Sequence, residues 1–324
     1  MKFFLETWDP STILPSSQWL PVNPVAAQPM GEWKALEDPE PFSGTIYLID
    51  GRERVDQLIV LEDGRHGALF SYAVGAVRMG PNLTTFELNP PEPHRVLLVP
   101  EDAEAEVLDL GPGLAYQAIG VHAEGIAQLV EAGRDLRQRA EDRLGRQLLE
   151  ADPEGLAIHD GPLLPTSRLP ARQVGFAKTE YRTYLGAAEA QLLQTLKPGQ
   201  RTPLFRFPGR SQGLGSNRSF FGWYLALPLD PTRPFGPEAG LVRLEAALDL
   251  DESEQLARAS LGIFGQLASR PFRDPRAPQN LIPIGALEWE LGRRLGNRQV
   301  IRSRLFGYLA SQETPQGSLL QTDH

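Results

Sequence analysis

Two short hydrophobic runs, TIYLI (45–49) and GLAIH (155–159), are each followed by Asp-Gly, and a set of strand-like segments and one long helical pattern lie between them. That order constrains the fold more than any other feature of the chain. The first run is β-branched and aromatic, and Asp50-Gly51 is expected to close it. VDQLIVLED (55–63) and HGALFSYAVGAVRMG (66–80) read as further strands joined at Asp63-Gly64, giving an antiparallel meander. RVLLVP (95–100) and AEVLDLG (105–111) extend the sheet or form a side hairpin. Over 122–151, Ile126, Leu129, Val130, Gly133, Leu136, Ala140, Leu144 and Leu148 recur at the helix period, and Asp152-Pro153 ends the pattern. A helical crossover of this kind delivers the next strand parallel to, and beside, the first.

The order predicts an α/β fold: a ribonuclease H-like mixed sheet flanked by helices, in which the ends of the two runs are neighbours. Further strands are expected at 173–178, 220–229 and 241–250. Further helices are expected at about 180–196, 251–269 and 284–296, the last with Asn297 after Gly296 as a stop. Pro- and Gly-rich stretches at 89–93, 161–172, 197–215 and 228–240 read as loops. FPGRSQGLGSNRS (207–219) carries Arg210 and Arg218 and no acid, which suits either a nucleic-acid contact or a plain surface loop. Residues 1–43, rich in Pro and Trp and without a period, read as an irregular arm on a single domain spanning 44–324.

Composition removes several classes of function. Without cysteine there is no disulfide, thiolate metal site or cysteine nucleophile. No run of about 18 apolar residues is present, and Glu6 and Asp9 interrupt any signal-peptide core, so a cytoplasmic protein is expected. No GxGxxG or GxxxxGK[ST] pattern occurs. A net charge of −9 argues against broad coating of nucleic acid but allows a local basic channel and a carboxylate-rich metal site. His66, His94, His122, His159 and His324 are scattered, and His159 faces away from Asp160 by strand alternation, which gives it a structural role.

One strand ending in Asp-Gly is ordinarily a turn. Two on adjacent parallel strands are different, because carboxylates that close require a cation, and hard divalent metals take oxygen ligands. Such a pair suits phosphodiester cleavage. A third ligand is sought on the helix of 122–151, where Glu124, Glu131, Asp135, Asp142 and Glu150 point away from the apolar stripe. Glu141 stands about 20° from Leu148, at the edge of that stripe. It is either a ligand or a surface partner of Arg137, four residues back. Lys178, closing QVGFAK, is either a phosphate-holding point charge or a solvated strand end.

LIDGR (48–52), RQRAEDRLG (137–145), LAIHDGPLL (156–164), VGFAK (174–178) and LVRLE (241–245), in this order, resemble the NurA nucleases, from about Tyr47 to Glu288. These are prokaryotic DNA-end-processing enzymes with a ribonuclease H-like core that work with the hexameric HerA translocase. The resemblance implies that Asp50, Glu141 and Asp160 hold Mn²⁺ or Mg²⁺ and that Lys178 is the family's strand lysine. It also implies a C-terminal histidine, where this chain has Glu288, which could itself ligate the metal. A homodimer docked on a HerA-type ring and acting on DNA follows from the same resemblance. Phe3, Phe4 and Trp8 are candidates for a subunit contact. The expected function is a metal-dependent DNA nuclease in recombination or double-strand-break repair, with Arg52 steadying phosphate. The alternatives are a non-catalytic NurA-like scaffold that docks on the translocase and binds DNA, and an enzyme of the same fold acting on RNA or hybrids.

Overall fold

Apolar, β-branched runs and turn chemistry make the first half of the chain a ribbon of strands, and the helix-period segments then close over its two faces, so β3 and β4 are buried almost continuously. The computed structural model describes residues 3–5, 27–83, 86–88, 92–164, 172–178, 184–208, 219–229, 240–270 and 277–313. In chain order the elements are β1 (Phe3–Leu5), β2 (Gln28–Pro29), β3 (Ile46–Leu61), β4 (His66–Met79), β5 (Phe86–Leu88), β6 (His94–Pro100), β7 (Leu108–Asp109) and β8 (Ala115–Val121). Then come α1 (Ile126–Ala151), β9 (Leu156–Asp160), β10 (Gln173–Ala177), α2 (Ala187–Leu193), β11 (Phe205–Pro208), β12 (Ser219–Ala226), β13 (Leu241–Ala246), α3 (Leu250–Leu267), α4 (Ile282–Arg294) and α5 (Arg298–Glu313).

The strands form one large mixed sheet in the order β2-β11-β12-β13-β10-β9-β3-β4-β6-β8-β7. The long β3–β4 hairpin turns at Asp63-Gly64, where Gly64 has φ +85° and its N–H donates to the Leu61 carbonyl. After the α1 crossover, β9 lies parallel to the first part of β3, with Ile49 opposite His159, and β10 lies parallel to β9. β1 pairs with the last part of β3, through Ile59–Leu61. On one face, Ile49, Phe70, Val96 and Leu98 share a core with Leu129, Val130 and Leu149 of α1. On the other, Leu48, Ile158, Phe176 and Leu244 share a core with Phe264 of α3 and Leu287 and Leu291 of α4. The Phe176 and Phe264 rings stack at 4.9 Å. Among the described residues no helix is long and apolar enough to cross a membrane.

Several expectations need correction. Asp50-Gly51 does not close a strand: it lies within the 16 residues of β3, which runs on to Leu61, because Gly51 pairs with Val74 inside the hairpin rather than turning. Residues 205–208, expected within a loop, form β11 between β2 and β12, where Phe205 and Phe207 fill an aromatic core. The helix expected from about 180 begins at Ala187, and the one expected from 122 begins at Ile126. Asn297 is not a stop but a start: its Oδ1 accepts the Gln299 N–H at 2.8 Å as α5 begins, while Gly296, at φ +78°, ends α4. β8 and α5 were not foreseen. β1 and β2 are short strands within the stretch read as an irregular arm, and β1 includes the backbone of Phe3 and Phe4. Trp8, Arg210 and Arg218 lie outside the described residues.

Candidate metal centre

Strand alternation decides which face each candidate meets. Leu48 belongs to the core shared with α4 and Ile49 to the core shared with α1. Asp50 therefore faces α4 and Gly51 faces α1. Ile158 belongs to the α4-side core, so Asp160 faces the same way, one position beyond the Ile49–His159 pair. Asp160 does end its strand, and Gly161 follows in a left-handed conformation, φ +131°. Glu288 descends from α4 onto the pair. Each of Asp50, Asp160 and Glu288 presents a carboxylate oxygen, and these three atoms all lie within 4.8 Å of one another.

That crowding is costly without a counter-charge. Asp50 is buried, and burial raises its pKa well above the usual carboxylate range; Asp160, Glu141 and Glu288 push it further in the same direction. Lys178 supplies a cation at the margin. Its Nζ donates to Asp160 Oδ2 at 2.6 Å and to Asn280 Oδ1 at 2.7 Å. Asn280 is fully buried, and its backbone carbonyl accepts the Ser269 N–H at 2.8 Å, so the chain segment that carries the amide is pinned. Asn280 was not expected from the sequence. It sits in an irregular segment just before α4, where no periodicity signals a site.

Glu141 is brought near from the opposite face. A Cβ on Gly51 would collide with Glu141 Oε1 and would stand 2.9 Å from Arg137 Cγ, so glycine in mid-strand lets α1 press these side chains against the sheet. Arg137 Nη1 donates to Glu141 Oε1. Arg137 Nε in turn donates to Glu53 at 2.8 Å, and Arg134 Nε donates to Glu53 at 3.0 Å. Burial pushes Glu141 up to about 7, against the opposing pull of Arg137. Of the two sequence readings the Arg137 pairing is present, but Glu141 is buried rather than on the surface, and it stands outside the Asp50–Asp160–Glu288 trio.

Asp142, expected to point away, is buried and paired with Arg146 at 2.8 Å. Burial raises its pKa, and Arg146 opposes the shift. In the second half of α1 the buried residues are Glu141, Asp142, Gly145 and Leu149, so the covered face has rotated from the stripe set by the first half. His159 is buried on the α1 side with Nε2 2.7 Å from Gln173 Oε1. Burial pulls its pKa down to about 4, so a neutral imidazole donates to the amide.

A family model described as the NurA domain matches residues 45–284, well over half of the chain. The chain belongs to the NurA family. Membership supports a nuclease role in DNA end processing, a hydrolase at the coarse level. A search among curated proteins gives no match. The matched segment holds Asp50, Glu141, Asp160, Lys178 and Asn280, while Glu288 lies just past its end. NurA nucleases are generally metal-dependent, and three convergent carboxylates, with no sulfur and no imidazole in the group, fit a hard divalent cation.

Proposed function

We propose that this protein is a ribonuclease H-like, Mn²⁺- or Mg²⁺-dependent nuclease that hydrolyses the phosphodiester backbone at DNA ends, in recombination or double-strand-break repair. The observation that carries the reading is the Asp50–Asp160–Glu288 trio with Lys178 at its edge. A divalent cation there supplies Lewis acidity to the scissile phosphate and lowers the pKa of the attacking water. The chain's own groups do the rest. Asp50 and Asp160, fixed by paired strands, and Glu288, fixed by a helix, hold the ligand oxygens in place. Lys178, held by Asp160 and Asn280, offers a positive charge to a phosphate oxygen as negative charge builds there. Arg52, two residues beyond Asp50 and exposed, steadies a neighbouring phosphate. Glu141, held by Arg137, closes the wall behind Gly51 and would be a further oxygen ligand for the cation.

The carboxylate trio favours catalysis over a scaffold role, because Glu288 completes an oxygen set where a histidine was expected. A HerA-type translocase as partner and a homodimer belong to the same proposal and rest on the family, and a cytoplasmic setting belongs to it on the composition of the chain. Wild-type protein with linear DNA and Mn²⁺ should release short products, and Asp160→Asn, folded by circular dichroism, should slow release roughly 10³-fold. A wild type that leaves DNA intact even with its translocase present would contradict the enzyme reading and favour the scaffold. Competition with RNA and hybrid substrates separates the DNA reading from the RNA one.

A further inference from the structure

The flank of α4 beside Glu288 is unlike the rest of that helix. Ile284, Leu287 and Leu291 are buried and define its core face. At about 100° per residue, Glu288 stands just off that face, and the positions met next around the helix are Gly292, Gly285 and then Trp289. The strip between the carboxylate and the indole is therefore floored by two residues without side chains. Arg52 overhangs this strip from β3, its Nε 4.0 Å from where a Cβ on Gly292 would be. Trp289 is 70% exposed, the most exposed large hydrophobic side chain among the described residues. An indole so placed gains little from burial, yet it immediately follows a carboxylate of the trio in the sequence.

We propose that Trp289 is a stacking platform for an unpaired base of the nucleotide next to the scissile phosphate, with Arg52 holding that nucleotide's phosphate across the glycine strip. This inference rests on the nuclease reading and adds a specificity-determining residue to it. The glycines let a sugar-phosphate backbone lie close to the helix, Arg52 carries the charge complement of a phosphate, and the indole offers a face on which any base stacks. Inside a duplex both faces of a base are covered by its neighbours, and the terminal pair of a blunt end offers only its outer face, so a platform set alongside the backbone selects ends with unpaired nucleotides over blunt ones.

The test is binding of a fluorescent oligothymidylate and of a blunt hairpin duplex of equal length, read by anisotropy with Ca²⁺ in place of Mn²⁺ so that cleavage plays no part. Trp289→Ala should weaken oligothymidylate binding about 5- to 100-fold, the range for one base stacked on an aromatic ring. Trp289→Phe should recover most of that loss, and the blunt duplex should be affected by less than about twofold, a difference too small for a stacked base. Arg52→Gln should lower the slope of log affinity against log salt by about 0.7, one single-strand phosphate contact. Wild type that does not bind the oligonucleotide, or that binds it no better than Trp289→Ala, overturns the inference. So does an equal loss in the Phe variant, an equal loss on the duplex, or a drop in mass by light scattering that makes Trp289 a contact between copies. A protein that binds through Trp289 but never cuts with Mn²⁺ refutes the nuclease reading alone. One that cuts but is indifferent to Trp289 refutes this inference alone.

Discussion

Strand β3 carries two buried aspartates six residues apart, and the protein treats them in opposite ways. Asp56, at the bulge between Val55 and Gln57, accepts Arg54 Nε at 2.6 Å, Tyr116 Oη at 2.8 Å and the Ser71 hydroxyl, with Arg95 Nη1 at 3.9 Å. The arginines held there reach the carboxyl end of α4: Arg54 donates to the carbonyls of Gly296 at 2.8 Å and Leu295 at 3.0 Å, and Arg95 donates to Leu295 at 3.2 Å. Cations at a helix C-terminus meet its outward-facing carbonyls and the negative end of its dipole. Asp56 is thus satisfied by the protein itself and anchors the helix that carries Glu288. Asp50 is raised first by burial and then by three other carboxylates, Asp160, Glu141 and Glu288. A buried acid whose needs the fold meets is architecture. One that the fold surrounds with like charge is poised for a ligand from outside.

Substitutions at the two positions should therefore separate activity from stability. Asp50→Asn should lower the rate of DNA cleavage roughly 10³-fold, while thermal melting in EDTA shows no loss of stability; a melting point several degrees lower would make Asp50 structural. Asp56→Ala should do the reverse. It leaves the partly buried Arg54 and Arg95 without their carboxylate and the Tyr116 hydroxyl without its acceptor, and should lower unfolding free energy in urea by about 3 kcal/mol. Next in size is the response to metal. Mn²⁺ at a hundred times its Kd should stabilise the wild type by about 2.7 kcal/mol, roughly 4 °C for a chain this long, and should leave Asp50→Asn unmoved. Gly51→Ala should then cost about 1–3 kcal/mol from overpacking, part of it recovered in the Gly51→Ala/Glu141→Ala double variant. The smallest effect is on the pH profile. Because Asp50's folded pKa lies above its usual 3.8, its contribution is fully present below that value and is lost as pH rises through the folded pKa. The stability gap between Asp50→Asn and metal-free wild type should widen over that rise and close when Mn²⁺ is added.

Much of this was legible in the sequence where one period governs an element. The meander, the α1 crossover and the placement of Asp160 beside Asp50 follow from alternation, helix spacing and the parallel crossover. Gly51 misled because Asp-Gly is common turn chemistry, whereas here the missing Cβ makes room for Glu141 and Arg137 arriving from another layer. Such a contact exists only in three dimensions. Asp142 misled because the buried face of α1 rotates along its length. β8 stayed hidden because AYQAIGV is half exposed and its alternation is blurred. α5 stayed hidden because it buries Ile301 and Leu305 yet exposes Val300 and Phe306, so no stripe stands out. Asn280 lies in irregular chain and is defined by what it touches, Lys178, rather than by any pattern. Glu288 was legible only through its resemblance to a family position; its place in the trio comes from the packing of α4 across β3 and β4.

The central claim is that the like-charge cluster around Asp50 is a cation site, and crystals soaked in Mn²⁺ and measured at the manganese absorption edge test it most directly. An anomalous peak is expected with oxygens of Asp50, Asp160 and Glu288 at roughly 2.0–2.6 Å. No peak there at millimolar Mn²⁺, or one that leaves Asp50 and Asp160 uncoordinated, would contradict the account.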